Sequence, residues 1–396
     1  MKNNKTLIIL ISVLLSVPLG QLFIDIYVPA FTNIQGYFGT KPAMVQLSLT
    51  VYFITFGIFQ ILYGSLSDII GRKKPLLIGL AFGLIGSVLI RFSSNIDMFL
   101  IGRVIQGIGM GGVSGIGGAI LVDYFSKDPA DLARKNTYVS IAYNITPVVA
   151  PYIGGLLLYL LDWHAIFEFL FIYNLLVLLW ISFLYFETKQ EVTIFSFKKY
   201  FQQFKTYKAF LANSSFWYIS VTLGTIWGMT LTFMSLGPFV YHDLFAFTGY
   251  QFGILALVMG LASLLGSILS RILLILISSE KLLFILAVLN VILGVVLIPV
   301  ALLSVGYFIY FTAILFAMFI VYGATYPNAY TILMLLFKEN AGSSISLSVT
   351  ISVSFCMFVT AICAVLPESI LSLSAMELFL SLLSGFLIYK IVRRVK

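Results

Sequence analysis

The feature that most constrains this chain is a series of twelve apolar stretches, each close to the roughly 20 residues that a helix needs to cross a bilayer. They lie at 7–32, 45–67, 76–93, 98–122, 137–160, 165–186, 213–238, 249–271, 282–302, 306–328, 342–366 and 370–391. Lipid offers backbone groups no hydrogen-bond partner, so each stretch has to close its own bonds, as a helix does. The charges exclude a water-soluble fold. Only 10% of the 396 residues are Asp, Glu, Lys or Arg, and 61% are hydrophobic, against about 25% charged in an ordinary globular protein. The expected fold class is an all-α membrane protein of twelve transmembrane helices. The first stretch follows Met1-Lys2-Asn3-Asn4-Lys5 much as in a signal peptide, but it runs past Pro18 and Gly20 to Pro29 without a clear cleavage site. It is expected to stay as the first span.

Charge placement sets the orientation. A net charge of +8 could suggest nucleic acid, but the charges lie in short clusters between apolar runs, with no basic face or aromatic RNA-binding signature. If both termini are cytoplasmic, 20 of the 23 lysines and arginines fall on the inner side, as the positive-inside bias requires. Outer segments keep Lys41 and Arg91, and Arg103 falls within a span. The longest connection, 187–212, is basic and polar. It is expected to be a cytoplasmic linker between two pseudo-symmetric six-helix bundles, 1–186 and 213–396. Gly64-Ser65-Leu66-Ser67 finds a faint echo in Gly266-Ser267-Ile268-Leu269. Two such halves, with a midplane site between them, are the plan of many secondary transporters.

Other chemistries find no support. No nucleophile–base pair stands within a span, which argues against an enzyme. No phosphate-binding Gly-x-x-x-x-Gly-Lys pattern occurs in the inner loops, which argues against direct ATP coupling. The histidines are His164 and His242, and the cysteines Cys356 and Cys363 lie seven apart on one apolar stretch. That spacing is too long for a disulfide along one helix. Neither a metal nor a cofactor is expected, and both cysteines read as small buried side chains.

Four motifs carry a family resemblance. After the second stretch comes Gly64-Ser65-Leu66-Ser67-Asp68-Ile69-Ile70-Gly71-Arg72-Lys73-Lys74, which resembles the signature loop of the major facilitator superfamily, Gly-x-Leu-Ala-Asp-Arg-x-Gly-Arg-Arg/Lys. Ile69 departs from it by replacing a basic residue. Physically, Asp68 can accept from Arg72 and from a neighbouring helix N-terminus, Gly64 permits close helix approach and Gly71 permits a tight turn. The fourth stretch carries Gly102-Arg103-Val104-Ile105-Gln106-Gly107-Ile108-Gly109, similar to the superfamily's Arg-x-x-Gln-Gly-x-Gly. Arg103, Gln106, Gly107, Met110 and Ser114 recur at helical spacing on one face.

The fifth stretch carries Pro147-Val148-Val149-Ala150-Pro151-Tyr152-Ile153-Gly154-Gly155, which looks like the Gly-x-x-x-Gly-Pro-x-x-Gly-Gly motif of drug:proton antiporters. Thr146 and Ala150 stand where that motif has glycines. Each proline strips a helical donor from the carbonyl four residues earlier, so a bend is expected. The first stretch ends in Asp25-Ile26-Tyr27-Val28-Pro29-Ala30, similar to the bicyclomycin/chloramphenicol-resistance branch. Trp163-His164-Ala165-Ile166-Phe167 and Gly237-Pro238-Phe239-Val240-Tyr241 also resemble that branch.

The resemblance implies a twelve-span proton-coupled antiporter in the cell inner membrane, exporting drugs or other small molecules. An importer, or a dedicated exporter of a metabolite or siderophore, is the alternative. Asp25 and Arg103 are the expected proton-coupling residues. Ionisable groups inside spans are costly and mark proton or substrate paths, and counting rise per residue puts both in the outer half, where they could pair directly or through water. Gln21, Gln106, Tyr143 and Asn144 are candidates for substrate contact. Gly64, Asp68, Gly71, Arg72, Pro147, Pro151, Gly154 and Gly155 are candidates for conformational gating. Glu168 and Glu377 read as acids near the outer interface, either of which could supply a second proton site. Expected partners are a small-molecule substrate, protons and lipid, with no nucleic acid, and the chain is expected to be a monomer.

Overall fold

Every expected stretch forms a helix in a computed structural model of the protein, which describes residues 2–126, 128–189, 207–303, 308–337 and 341–395. Among the described residues twelve helices are long and apolar enough to cross a membrane: Asn4–Phe38, Pro42–Ile70, Lys73–Arg91, Ile96–Phe125, Arg134–Leu160, Trp163–Phe183, Ser214–Phe245, Gly249–Leu273, Ser279–Leu302, Phe308–Leu336, Leu347–Val365 and Ile370–Arg394. They are numbered spans 1 to 12. The chain divides into two compact units, Met1–Phe204 and Lys205–Lys396. Most of the expected linker, residues 190–206, lies outside the described residues.

In the first unit, span 4 is the central helix. It packs on span 2 along one side and on span 3 along another, while span 6 packs on span 3 and span 5 on span 1. Glycine makes these approaches possible. A Cβ on Gly107 would stand 2.5 Å from the Tyr52 carbonyl oxygen of span 2, and one on Gly79 would stand 2.7 Å from the Gly109 carbonyl oxygen. Small residues at such crossings let backbones touch, which in lipid replaces the hydrophobic drive to associate.

The second unit repeats this packing six spans later. Span 8 packs on span 10, span 9 on spans 10 and 12, and span 7 on spans 11 and 12. The sequence echo between Gly64 and Gly266 does not carry over to their surroundings. A Cβ on Gly266 would stand 2.8 Å from the Ile320 carbonyl carbon, whereas one on Gly64 meets nothing within 4 Å among the described residues. The close approach expected at Gly64 is therefore absent here. Cys356 and Cys363 are buried and free.

Candidate functional site

Span 1 is broken, and the break creates the site. Helical segments cover Lys2–Ser16, Leu19–Asp25 and Phe31–Phe38, with a 3-10 turn at Val28–Ala30. Pro18 and Pro29 flank the middle segment, and each lacks the N–H that a continuous helix would use. Pro29 removes the donor for the Asp25 carbonyl, so Asp25 is the last residue of its segment. It is only 3% exposed, so it is not a solvated helix end. Gln21, one turn earlier and also buried, donates from Nε2 to Asp25 Oδ2 at 2.6 Å.

Arg103 of span 4 is 0% exposed and does not snorkel to the interface. Its guanidinium lies 4.3 Å from the ring centre of Tyr27 and 4.5 Å from that of Tyr52. Nη1 donates to the Phe23 carbonyl at 3.0 Å and to Gln106 Oε1 at 2.6 Å. The Phe23 carbonyl belongs to the last turn before the break, so Arg103 supplies a donor to the end of that segment. Both rings are anchored in turn. Tyr27 shares a hydrogen bond with Ser48 Oγ at 2.7 Å, and Tyr52 donates to the Gly20 carbonyl at 2.9 Å. A cation between two aromatic faces gains up to about 2 kcal/mol when desolvated. Among the described residues two of its donors, Nε and Nη2, have no hydrogen-bond partner.

A direct Asp25–Arg103 ion pair is therefore not what holds this region together. Among the described residues no cation stands within 4.0 Å of the Asp25 carboxyl. Tyr27 and Tyr52 both lie within the electrostatic reach of Asp25 and of Arg103, so the two charges flank the same rings. Span 5 closes the cluster. It stays helical through Pro147 and Pro151, and a Cβ on Gly154 would overlap the Ile26 carbonyl oxygen and stand 2.7 Å from its carbon. Gly155, like Gly154, is buried.

The substrate candidates separate. Gln21 stands with Asp25, whereas Gln106 is fully buried and donates to Ser87 Oγ of span 3 at 3.0 Å. Tyr143 and Asn144 are exposed, and Asn144 turns back to the Ser140 carbonyl of its own helix at 2.8 Å.

The signature loop forms a second cluster at the far end of span 2. Asp68 pairs with Arg72 as expected, Oδ1 to Nη1 at 2.6 Å. The anion at the neighbouring helix N-terminus is not Asp68, however, but Glu187. Its two oxygens accept from Arg72 N–H at 2.9 Å and Lys73 N–H at 3.0 Å, where the start of span 3 leaves donors without helical partners. Gly71 makes this possible with φ of +91°, and a Cβ there would meet the Glu187 carboxylate at 2.5 Å. Asp123, near the end of span 4, binds Arg72 Nε at 2.7 Å and Nη2 at 3.3 Å. Partial burial works against the Arg72 charge, yet Asp123 and Asp68 together hold its pKa above the ordinary arginine value. Lys73 Nζ donates to the Ser182 and Tyr185 carbonyls at 3.0 and 2.7 Å, so the loop clasps the end of span 6.

Sequence reading missed Glu187, Asp123, Tyr27 and Tyr52. Glu187 did leave a signal, as an acid at a connection otherwise rich in lysine. The other two acids divide. Glu168 is half-exposed and paired with Arg91, whereas Glu377 is fully buried, which corrects its reading as an interface residue.

Comparison with known proteins adds three findings. Residues 13–361 match the sequence model of the Major Facilitator Superfamily. The uncharacterized MFS-type transporter YdgK of Bacillus subtilis is 34% identical over 252 residues, 63% of this chain and 62% of that one. Multidrug resistance protein D of Escherichia coli K12 is 28% identical over 173 residues, 43% of each chain. The matches thus span less than two thirds of these relatives. Among solved structures, a bacterial homologue of the human lysosomal transporter Spinster superposes with a TM-score of 0.72 at 15% identity, covering 99% of this chain and 96% of that one. At that identity the likeness speaks for the fold.

Proposed function

The chain belongs to the major facilitator superfamily, and from that premise we propose that it is a multi-pass inner-membrane exporter of small organic molecules, driven by protons through alternating access. Both termini face the cytoplasm in this reading. The observation that carries it is the buried Asp25, which at a helix break takes a hydrogen bond from Gln21 and, among the described residues, has no cation within 4.0 Å, in the unit that also holds a caged arginine with spare donors. A structural acid in lipid would be matched to a cation, because an unpaired buried charge costs several kcal/mol. An acid left unmatched suits a group that gains and loses a proton.

The chemistry follows from the geometry. A proton taken up by Asp25 removes its charge, and with it the field that the acid adds at the Tyr27 and Tyr52 rings between which Arg103 lies. Release of the proton restores an anion towards which Arg103 Nε and Nη2 can turn. The two protonation states thus favour different arrangements of spans 1, 4 and 5, and a population shift needs only such a difference. Gln21 positions the carboxyl, and Gly154 lets span 5 feel any movement at Ile26. Cargo contacts fall to the exposed Tyr143 and Asn144, with Gln21 and Gln106 acting through the acid and the arginine. Pro147, Pro151 and Gly155 belong to the moving face of span 5. Gly64, Asp68, Gly71 and Arg72 act as a gate that locks and unlocks at the end of span 2. Similarity to a multidrug resistance protein, and the first-span motif shared with the bicyclomycin/chloramphenicol branch, support drug-like cargo.

The test uses everted membrane vesicles from cells lacking other efflux pumps, with chloramphenicol and bicyclomycin as probes. An imposed pH gradient, acidic inside, should drive probe uptake into vesicles carrying the protein, and Arg103→Ala should abolish it. Flux in the opposite sense would establish the importer reading, and gradient-independent flux would remove proton coupling.

A further inference from the structure

Two acids among the described residues are buried, one in each unit: Asp25 and Glu377. Glu377 lies two turns into span 12, and its surroundings are as dry as those of Asp25. Tyr322 of span 10 donates to Glu377 Oε2 at 2.7 Å. Among the described residues Oε1 has no partner, and neither has the hydroxyl of Ser381 one turn further along the same helix.

Among the described residues no element packed on span 12 supplies a counter-charge. Span 10 contributes Tyr322 and has no charged residue along Phe308–Leu336. Span 11 contributes Cys363, a thiol whose Sγ lies 3.9 Å from Thr232 Oγ1 of span 7, and it too has no charged residue. The ionisable residues His242 and Asp243 of span 7, and Glu280 and Lys281 of span 9, stand at the ends of those spans. Facing span 12, span 9 presents Gly294 against Leu378 and Ser381. Lys390, on span 12 itself, is 13 residues away, about 20 Å along a helix.

A comparison within the chain sharpens the point. Span 6 occupies in the first unit the packing place that span 12 occupies in the second. Glu168, near the start of span 6, has Arg91 from the end of span 3 as its partner. Span 9, the counterpart of span 3, ends in Ile298-Pro299-Val300-Ala301-Leu302 and offers no arginine. Glu377 is the acid without the base. Gln at this position would keep the bond from Tyr322 without any cost of charge, so a purely structural role does not call for an ionisable group.

We propose that Glu377 is a second proton-carrying carboxyl, so that each unit holds one. This rests on the reading of the chain as a proton-coupled transporter and adds a site to it. The step is proton transfer alone: a proton from water forms an O–H bond at a Glu377 oxygen, and that bond later breaks to return the proton to water. The hydroxyl of Tyr322, which donates to Oε2, is placed to relay it. No redox partner or leaving group is involved.

The test is pH-difference infrared spectroscopy of the purified full-length protein in lipid vesicles, which needs no cargo. The readout is the carbonyl stretch of protonated carboxyls in dry surroundings, lost as pH rises. Glu377→Gln and Asp25→Asn should each remove about half of this band, as expected for one of two equivalent buried acids, and the double variant should remove all of it. Tyr322→Phe should shift the frequency of the Glu377 component and spare that of Asp25, which serves if Glu377→Gln fails to fold. A band untouched by Glu377→Gln in folded protein, or removed entirely by Asp25→Asn, would overturn the proposal. Loss with Glu377→Gln but not with Asp25→Asn would uphold it while removing Asp25 from the mechanism.

Discussion

Replacing Gly154 by alanine adds one methyl group at the point where span 5 meets the broken part of span 1. The new Cβ would overlap the Ile26 carbonyl oxygen and lie 2.7 Å from its carbon. Neither neighbour is a flexible side chain, so the two backbones have to part by at least about 1 Å. Overpacking of this kind costs about 1–3 kcal/mol, and the upper end applies because backbone meets backbone. Parting by 0.5–1 Å also forfeits about a quarter to a half of each dispersion contact along the crossing. Against this, alanine in a helix gains about 1 kcal/mol over glycine. The balance is a loss of about 2 kcal/mol. Because Ile26 follows Asp25, the acid moves as well, and misplacement by about 1 Å can cost up to ~100-fold in rate where geometry governs a step. The assay is thermal unfolding of purified protein in detergent, with probe uptake in vesicles. Gly118→Ala is the control, since a Cβ there meets nothing within 4 Å among the described residues and should stabilise. If Gly154→Ala proved as stable and as active as Gly118→Ala, the close contact between spans 5 and 1 would be refuted.

Two further predictions concern the ends of the first unit. Glu187→Ala removes the acceptor for the Arg72 and Lys73 amides, a loss of about 1 kcal/mol; their hydrogen exchange should rise about 5-fold, and unchanged exchange would exclude the lock. Asp162 caps span 6 between spans 5 and 6, accepting from His164 and Ala165 N–H at 2.9 and 3.2 Å. Partial desolvation would raise its pKa, but the Ala165 amide and His164 prevail and lower it. A folded-state pKa below the unfolded value stabilises at neutral pH and fades as pH falls through the carboxylate range. Asp162→Ala should therefore cost about 0.5 kcal/mol at pH 7, after discounting for exposure, and progressively less as pH falls through the carboxylate range. An effect that persisted in acid would assign the loss to packing.

The spans were legible because a bilayer imposes a length and a composition that single stretches display by themselves. The signature loop was legible for a similar reason, since Asp68, Gly71 and Arg72 are neighbours in sequence. What lay hidden is what other helices bring. Glu187 and Asp123 reach Arg72 from 115 and 51 residues away, and no spacing announces that. Counting rise per residue placed Asp25 and Arg103 at one depth, but depth says nothing of direction around a helix axis. Tyr27 and Tyr52, from two different spans, flank Arg103 where the depth count allowed a pairing with Asp25, direct or through water. Glu377 was misplaced by the same arithmetic. Its distance from a helix end suggested an interface, while the helices packed around span 12 bury it completely.

The central claim is that proton movement and cargo movement are one process that runs through Asp25. Purified protein in vesicles loaded with a pH-sensitive dye tests it most directly, with a gradient of chloramphenicol imposed and no initial pH difference. The wild type should move protons against the probe, reporting a pH change of the sign that antiport requires, and Asp25→Asn should move none while remaining folded. Probe-driven proton movement of normal size in Asp25→Asn would contradict the account.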